Sequence, residues 1–282
     1  SGQINAEAIS DKVFVGELAL DGGIREVSGI LPMIIKAKEA GRKEIFIPPG
    51  NAAEGELVDG IEVFAPESLT KLAMHLEKTE KLAALSKRKM SIESNCVYNV
   101  DFSDVQGQLV AKRALEIAAA GGHNVRMVGA PGAGKTMLAR RLPTILPPMT
   151  EEEALEVTKI YSIAGLLNRK QGLILERPFR SPHHTISHSA LIGGGSIPKP
   201  GEVTLSHNGV LFLDELPEFS RMALEVLRQP LEDGFVTISR VQATLTFPAT
   251  FILVSAENPC PCGFFGEADG VHECCCRIGD ID

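Results

Sequence analysis

The sequence predicts an α/β fold in two units, a small one followed by a larger one built on a central parallel sheet. Three observations carry that prediction. Strand-like and helix-like patterns alternate from Val13 to about Leu76, as in layered α/β units. Further on, the apolar segment Asn124-Val125-Arg126-Met127-Val128 runs through a glycine-rich loop into the helix-forming stretch Met137–Leu142. Finally, Gly209-Val210-Leu211-Phe212-Leu213 is an apolar run ending on Asp214 and Glu215. Such a run suits a strand buried on both faces of a parallel sheet.

In the first unit, Val13–Leu20 reads as a strand and Asp21-Gly22-Gly23 as a turn. Pro32–Ala40 reads as a helix stopped by Gly41, Glu44–Pro48 as a short strand, and Asn51–Leu57 as a short helix. Gly60–Ala65 is another strand, followed by a helix that Ser68 caps. This unit is expected over residues 1–80. A charged stretch with Lys81, Lys87, Arg88 and Lys89 marks a linker over 81–99, and the second unit occupies 100–282. There, Leu109–Ala120 is a predicted helix and Thr150-Glu151-Glu152-Glu153 a capping box. Phe235–Ser239 and Ala243–Phe247 both alternate around Arg240-Val241-Gln242, which predicts a β-hairpin.

The chemistry concentrates in the loop Gly129-Ala130-Pro131-Gly132-Ala133-Gly134-Lys135-Thr136, which fits G-x-x-x-x-G-K-[ST] at every fixed position. Its glycines let successive backbone N–H groups face one centre, and the following helix adds its positive end. Lys135 then neutralises the outer phosphates of ATP or ADP, and the Thr136 hydroxyl ligates Mg²⁺. The bland alternative is a glycine-rich turn that matches by chance. On the acidic strand, Asp214 is expected in the Mg²⁺ shell, with Glu215 orienting or deprotonating the attacking water. A third strand, Phe251–Ala256, ends near Asn258, whose amide can reach the γ-phosphate and the water. These roles make Glu215, Asn258 and Lys135 the expected catalytic residues of an ATPase.

Composition narrows the class. The 282 residues carry a net charge of −8, which disfavours nonspecific nucleic-acid binding by the whole surface but not by a local basic pore. No apolar run approaches membrane-spanning length. The start, Ser1-Gly2-Gln3-Ile4, has neither a basic nor an apolar leader region. Cys96 stands alone, and the other five of six cysteines fall between Cys260 and Cys276. A reducing, cytoplasmic setting is expected, without membrane contact.

Further segments point to a family. Arg177-Pro178-Phe179-Arg180-Ser181-Pro182-His183-His184-Thr185 precedes Ala190-Leu191-Ile192-Gly193-Gly194-Gly195, then Lys199-Pro200-Gly201-Glu202 and Leu205-Ser206-His207-Asn208-Gly209. Leu216-Pro217-Glu218-Phe219, Arg228-Gln229-Pro230-Leu231-Glu232-Asp233-Gly234 and Asn258-Pro259-Cys260-Pro261-Cys262-Gly263 follow. Together they resemble the magnesium-chelatase-like AAA+ ATPases of the YifB or ComM family, from Val100 to Cys276. The resemblance implies an AAA+ core in which Val105-Gln106-Gly107 packs against adenine through Val105 and Gly107, and Asn258 is sensor 1. It also implies a homo-oligomeric, hexameric ring.

The first unit resembles part of a Lon-protease-like domain. The Lon serine–lysine dyad places lysine after a Gly-Gly pair. Here Gly22-Gly23-Ile24-Arg25 puts an always-protonated arginine there, and the serine's segment would precede Ser1, so no peptidase activity is expected. The family's Leu-Asp-Arg segment and helical lid are not found after the cysteines, so an arginine finger and second sensor are not identifiable.

Cys260, Cys262, Cys274 and Cys276 are suited to a tetrahedral Zn²⁺; the alternative is a loop of free thiols. His183, His184, His188 and His207 read as loop residues rather than metal ligands, because adjacent rings cannot easily turn to one ion. Lys199 and Arg240, the latter at the hairpin tip, are candidate contacts to a nucleic-acid backbone, or else ordinary solvated charges. Two functions stay open. One is a DNA motor, with branch migration or a helicase role in recombination and natural transformation, as the ComM resemblance implies. The other is a chelatase-type or protein-remodelling subunit that holds no DNA.

Overall fold

A computed structural model describes residues 4, 8–87, 98–167, 172–195, 198–239, 244–266 and 273–277. The chain divides into two compact units, Ser1–Ser94 with Thr150–Ile174, and Asn95–Met149 with Leu175–Asp282. Both are α/β.

The first unit holds a three-stranded parallel sheet in the order Lys12–Phe14, Glu44–Phe46, Glu62–Phe64. One face buries Ile45, Ile47 and Val63 against Ile30, Leu31 and Ile34 of the helix Ile30–Glu39. On the other face Phe14, Phe46 and Phe64 stack with ring centroids 5.0 and 5.1 Å apart. The helix Leu69–Leu76 adds Leu72 and Leu76 there. Its predicted cap is present, with Ser68 Oγ accepting from the Lys71 N–H at 3.3 Å.

Two features differ from the linear reading. The long strand expected over Val13–Leu20 is interrupted, because Glu17–Leu18 leaves the parallel sheet to pair antiparallel with Ile24–Arg25. The intervening turn is tied by Asp21 Oδ1, which accepts from the Gly23 N–H at 3.0 Å. Arg25 lies on that hairpin, exposed.

The second difference concerns Thr150–Ile174, counted above with residues 100–282; it clusters with the first unit. The helix Glu151–Ala164 opens with the expected capping box, Glu153 N–H to Thr150 Oγ1 at 3.2 Å and Thr150 N–H to Glu153 Oε2 at 2.9 Å. Leu155 packs on the first unit's core, Gly29 N–H donates to Ser162 O at 2.9 Å, and the helix is also tied to the buried Glu54. Its carboxylate accepts from the Leu31 N–H (3.0 Å), Asn51 Nδ2 (2.8 Å) and Ser162 Oγ (2.5 Å). A buried carboxylate keeps its place only when its oxygens are satisfied in this way.

The second unit is organised on a four-stranded parallel sheet, ordered Val125–Val128, Ile252–Glu257, Val210–Leu213, Phe179–Arg180. Every residue of Val210–Leu213 is buried, as its unbroken apolar run requires. Phe212, Val254, Leu138 and Leu142 share one core, with Leu138 and Leu142 contributed from the helix Lys135–Arg141 and the turn after it. Each such side chain contributes about 1.5–3 kcal/mol by leaving water, so the sheet is a firm base for what lies at its edge.

Several quoted segments turn out to brace this sheet. Arg180 donates from Nε and Nη2 to the Glu202 carboxylate at 2.6 and 2.7 Å, a bidentate pair with fixed orientation. His207 is buried and its Nδ1 accepts from the Thr250 N–H at 3.1 Å. Lys199 is exposed on a two-residue strand, Lys199–Pro200, paired with Gly193–Gly194. The predicted hairpin forms between Phe235–Ser239 and Thr244–Pro248. Arg240 at its tip lies outside the described residues.

Candidate nucleotide-binding site

Parallel strands in register end together, and this sheet uses that rule to assemble a site at its carboxyl edge. Glu257 pairs with Val128, and Leu213 with Ser255. The loop after Val128, the residues after Glu257 and the residues after Leu213 therefore leave the sheet side by side. Those residues are Gly129–Gly134, Asn258, and Asp214 with Glu215.

The loop from Gly129 to Gly134 curls because Gly132 and Gly134 adopt left-handed backbone angles, φ 79° and 84°. Gly134 caps the helix Lys135–Arg141. Lys135 Nζ lies over the loop, donating to Gly129 O (2.6 Å), Ala130 O (3.0 Å) and Asn258 Oδ1 (3.2 Å). Ala133 N–H closes the turn on Ala130 O at 3.2 Å. The result is a half-buried cation poised at the start of a helix, where anions are favoured.

Beside it, Thr136 Oγ1 donates to Asp214 Oδ2 at 2.7 Å, and Asp214 Oδ1 accepts from the Glu215 N–H at 3.1 Å. Two oxygen donors thus face each other across residues far apart in sequence. Oxygen ligands of this kind fit a hard cation such as Mg²⁺. Glu215 is itself left-handed, φ 53°, an uncommon conformation for a residue with a Cβ. Its Oε2 lies 3.2 Å from His184 Nδ1. His184 in turn packs against His183, 4.1 Å between ring centroids with the rings tilted by 37°, and meets Phe219 edge-on.

The His184–Glu215 contact was not found by reading the sequence. The signal available was the His-His pair in a proline-flanked segment. Its partner becomes evident only once Phe179–Arg180 is seen to lie next to the acidic strand.

The segment ahead of the helix Leu109–Gly121 also reaches the site. Val105 is buried in the core with Leu138 and Ala139. Gly107 is left-handed, and Gln108 Nε2 donates to Ala133 O in the phosphate loop at 3.3 Å. Gln108, which the sequence pattern did not single out, is therefore the residue that joins this segment to the loop.

Shortly after Asn258, Cys260 and Cys262 bring their sulfurs together with those of Cys274 and Cys276, all within 4.8 Å of one another. Cys260 Sγ is 3.3 Å from Cys262 Sγ and 3.7 Å from Cys274 Sγ, and Cys262 Sγ is 3.7 Å from Cys274 Sγ. The backbone N–H of Cys262 donates to Cys276 Sγ at 3.3 Å. Four thiolates about 2.3 Å from a tetrahedral zinc stand about 3.8 Å apart, so the cluster has nearly the right dimensions. Backbone N–H groups of Phe264 and Cys275, with the Cys260 side chain, pull the Cys262 thiol down to about 6. Cys275 is exposed and outside the quartet. No described helix is long and apolar enough to cross a membrane.

Residues 101–281 match the family described as magnesium chelatase, subunit ChlI. Residues 1–51 match a second family, subunit ChlI of Mg-chelatase. Among curated proteins, competence protein ComM of Haemophilus influenzae is 45% identical over 271 residues, 94% of this chain and 52% of its own length. Uncharacterized protein YifB of Escherichia coli is 44% identical over 275 residues, 98% of this chain and 53% of its own. The magnesium-chelatase 67 kDa subunit of Chlorobaculum parvum is 29% identical over 166 residues, 57% of this chain and 23% of its own. The chain thus spans about half the length of ComM and YifB.

One solved structure, the complex between magnesium chelatase subunits BchI and BchD, aligns with TM-score 0.45 and 22% identity. It covers 60% of this chain and 56% of the matched one. With most of its length matched by that first family, and its sheet carrying the phosphate loop and the acidic strand on either side of Ile252–Glu257, the chain belongs to the magnesium chelatase, subunit ChlI, family of AAA+ proteins.

Proposed function

We propose that this chain is the ATP-hydrolysing core of a Mg²⁺-dependent ring motor that acts on DNA in the cytoplasm. The observation that carries the nucleotide half is the convergence of Lys135, Asn258, Thr136 and Asp214 at one sheet edge, with bonds at 3.2 and 2.7 Å linking the start of the helix Lys135–Arg141 to residues just beyond two strands. In this reading the N–H groups of Gly129–Gly134 and the Lys135 ammonium bind the phosphates of ATP. Val105 and Gly107 form the adenine side. Thr136 and Asp214 would hold Mg²⁺, which when bound neutralises charge on the β- and γ-phosphate oxygens.

Glu215 orients the attacking water and takes its proton, while the Asn258 amide faces the γ-phosphate. The water oxygen bonds to the γ-phosphorus as the bridging oxygen leaves with ADP. The four clustered cysteines would hold a structural Zn²⁺, a cross-link for a loop with little apolar content. The first unit is read as a partial Lon-like domain that does not cleave peptides, Arg25 being unable to act as a base.

The DNA half is supported by the 45% identity to a protein named for competence. The hairpin between Phe235–Ser239 and Thr244–Pro248 supports it too, since Arg240 falls at its turn in the sequence and would add one positive charge per subunit of a ring, beside that of the exposed Lys199 on its own short strand. The similarity to a magnesium-chelatase subunit, lower and over less of the chain, favours the second reading, a remodelling or chelatase-type ATPase. ATP turnover of the full-length protein, measured with and without branched duplex DNA, separates the two. Stimulation by DNA is expected. Turnover indifferent to DNA, with no DNA retained at low salt, transfers the chain to the remodelling class.

A further inference from the structure

The thiol cluster and the nucleotide site share a single short turn. Gly263 N–H donates to Cys260 O at 2.9 Å, closing Cys260–Gly263 on itself. That turn supplies two of the four clustered sulfurs. It begins two residues after Asn258, whose Oδ1 accepts from Lys135 at 3.2 Å. At its other end Gly263 is left-handed, φ 85°, and a Cβ there would stand 2.5 Å from Pro131 Cδ. The backbone of the turn therefore rests directly on the proline ring of the phosphate loop. Little apolar packing holds it in place. Cys260 and Gly263 are buried, but Asn258, Pro261 and Phe265 are exposed. The sulfurs of Cys274 and Cys276, twelve or more residues along the chain, also meet it.

We infer that the zinc-loaded cysteine cluster is a brace for the nucleotide site, holding Asn258 and Pro131 in the positions from which the phosphate loop is shaped. This rests on the zinc reading given above and adds a role to it. A zinc shared by the four sulfurs would tie Cys260 and Cys262 of the turn to Cys274 and Cys276. Releasing the metal frees the turn, and with it the support of the loop and the acceptor of Lys135. The residues involved position others; none of the cysteines touches the phosphates.

The test uses full-length protein purified without chelator or added metal. Zinc is measured by elemental analysis, and affinity for a fluorescent ADP analogue is measured in constant Mg²⁺. Both are then repeated after extraction with a zinc-selective chelator and after re-addition of zinc alone. The expected result is about one zinc per chain. Affinity should fall at least about fivefold on extraction, roughly 1 kcal/mol, and recover with zinc. Cys275→Ser should behave as wild type. Gly263→Ala should keep its zinc yet lose affinity, since its Cβ displaces Pro131. That variant keeps the test decisive if the extracted protein precipitates. Unchanged affinity in Gly263→Ala, or in soluble zinc-free protein, overturns the brace while leaving the zinc site standing. Zinc well below one equivalent with all thiols titratable overturns the site, and the brace with it.

Discussion

Replacing Lys135 by alanine removes the one cation that the loop holds over its own carbonyls. In the structure Lys135 Nζ spends its three donors on Gly129 O, Ala130 O and Asn258 Oδ1 at 2.6, 3.0 and 3.2 Å. Binding a phosphate exchanges part of this set for a charge-assisted bond. A hydrogen bond between charged groups is worth about 1.5–3 kcal/mol net. The exchange of existing bonds trims the upper end, and about 1.4 kcal/mol corresponds to tenfold in affinity. Lys135→Ala is therefore expected to weaken Mg·ADP binding by about ten- to hundredfold. The loop itself should persist, because the turn at Gly132 and Gly134 is set by backbone conformation rather than by the lysine. Calorimetric titration of both proteins, with overlaid unfolding curves to show equal folding, measures the difference. Affinities within about twofold of each other would refute the assignment of Lys135 to phosphate.

Two further outcomes are expected. Glu54→Ala leaves the Leu31 N–H and Ser162 Oγ without their acceptor and removes one of the two acceptors of Asn51 Nδ2, and should cost at least about 2 kcal/mol in denaturant unfolding of the first unit. A loss below about 0.5 kcal/mol would mean that Thr150–Ile174 is held by other contacts. Arg240→Ala in the full-length ring should weaken DNA binding and flatten its salt dependence while nucleotide affinity stays the same. Unchanged DNA binding would make Arg240 a solvated charge and favour the remodelling reading.

Much of the site was legible because its chemistry is local. The phosphate loop needs its glycines and its lysine within eight consecutive positions, and the acidic strand carries its carboxylates on its own end. Strand order is a different matter. Nothing in Phe251–Ala256 says that it lies between the other two strands rather than outside them, yet that placement is what brings Asn258 to Lys135. The same limit applies to His184, whose partner Glu215 is remote in sequence.

The helix Glu151–Ala164 was recognisable as a helix from its capping box. Its association with the first unit was not, because the contacts are remote in sequence and one of the groups making them, Glu54, is a charged residue that sequence patterning assigns to the surface. The break at Val15–Gly16 was missed for a related reason. Both halves of Val13–Leu20 have strand composition, and only pairing shows that they belong to different sheets.

The reaction proposed at this sheet edge is ATP hydrolysis with Glu215 activating the water. Its most direct measurement is single-turnover phosphate release by full-length protein, wild type against Glu215→Gln, alongside nucleotide affinity. The glutamine keeps the side-chain shape and removes the proton acceptor. Phosphate release should fall by at least about a hundredfold, in line with the loss of a general base, while Mg·ATP binds as tightly as before. Normal phosphate release from a folded Glu215→Gln protein that binds ATP would contradict the claim.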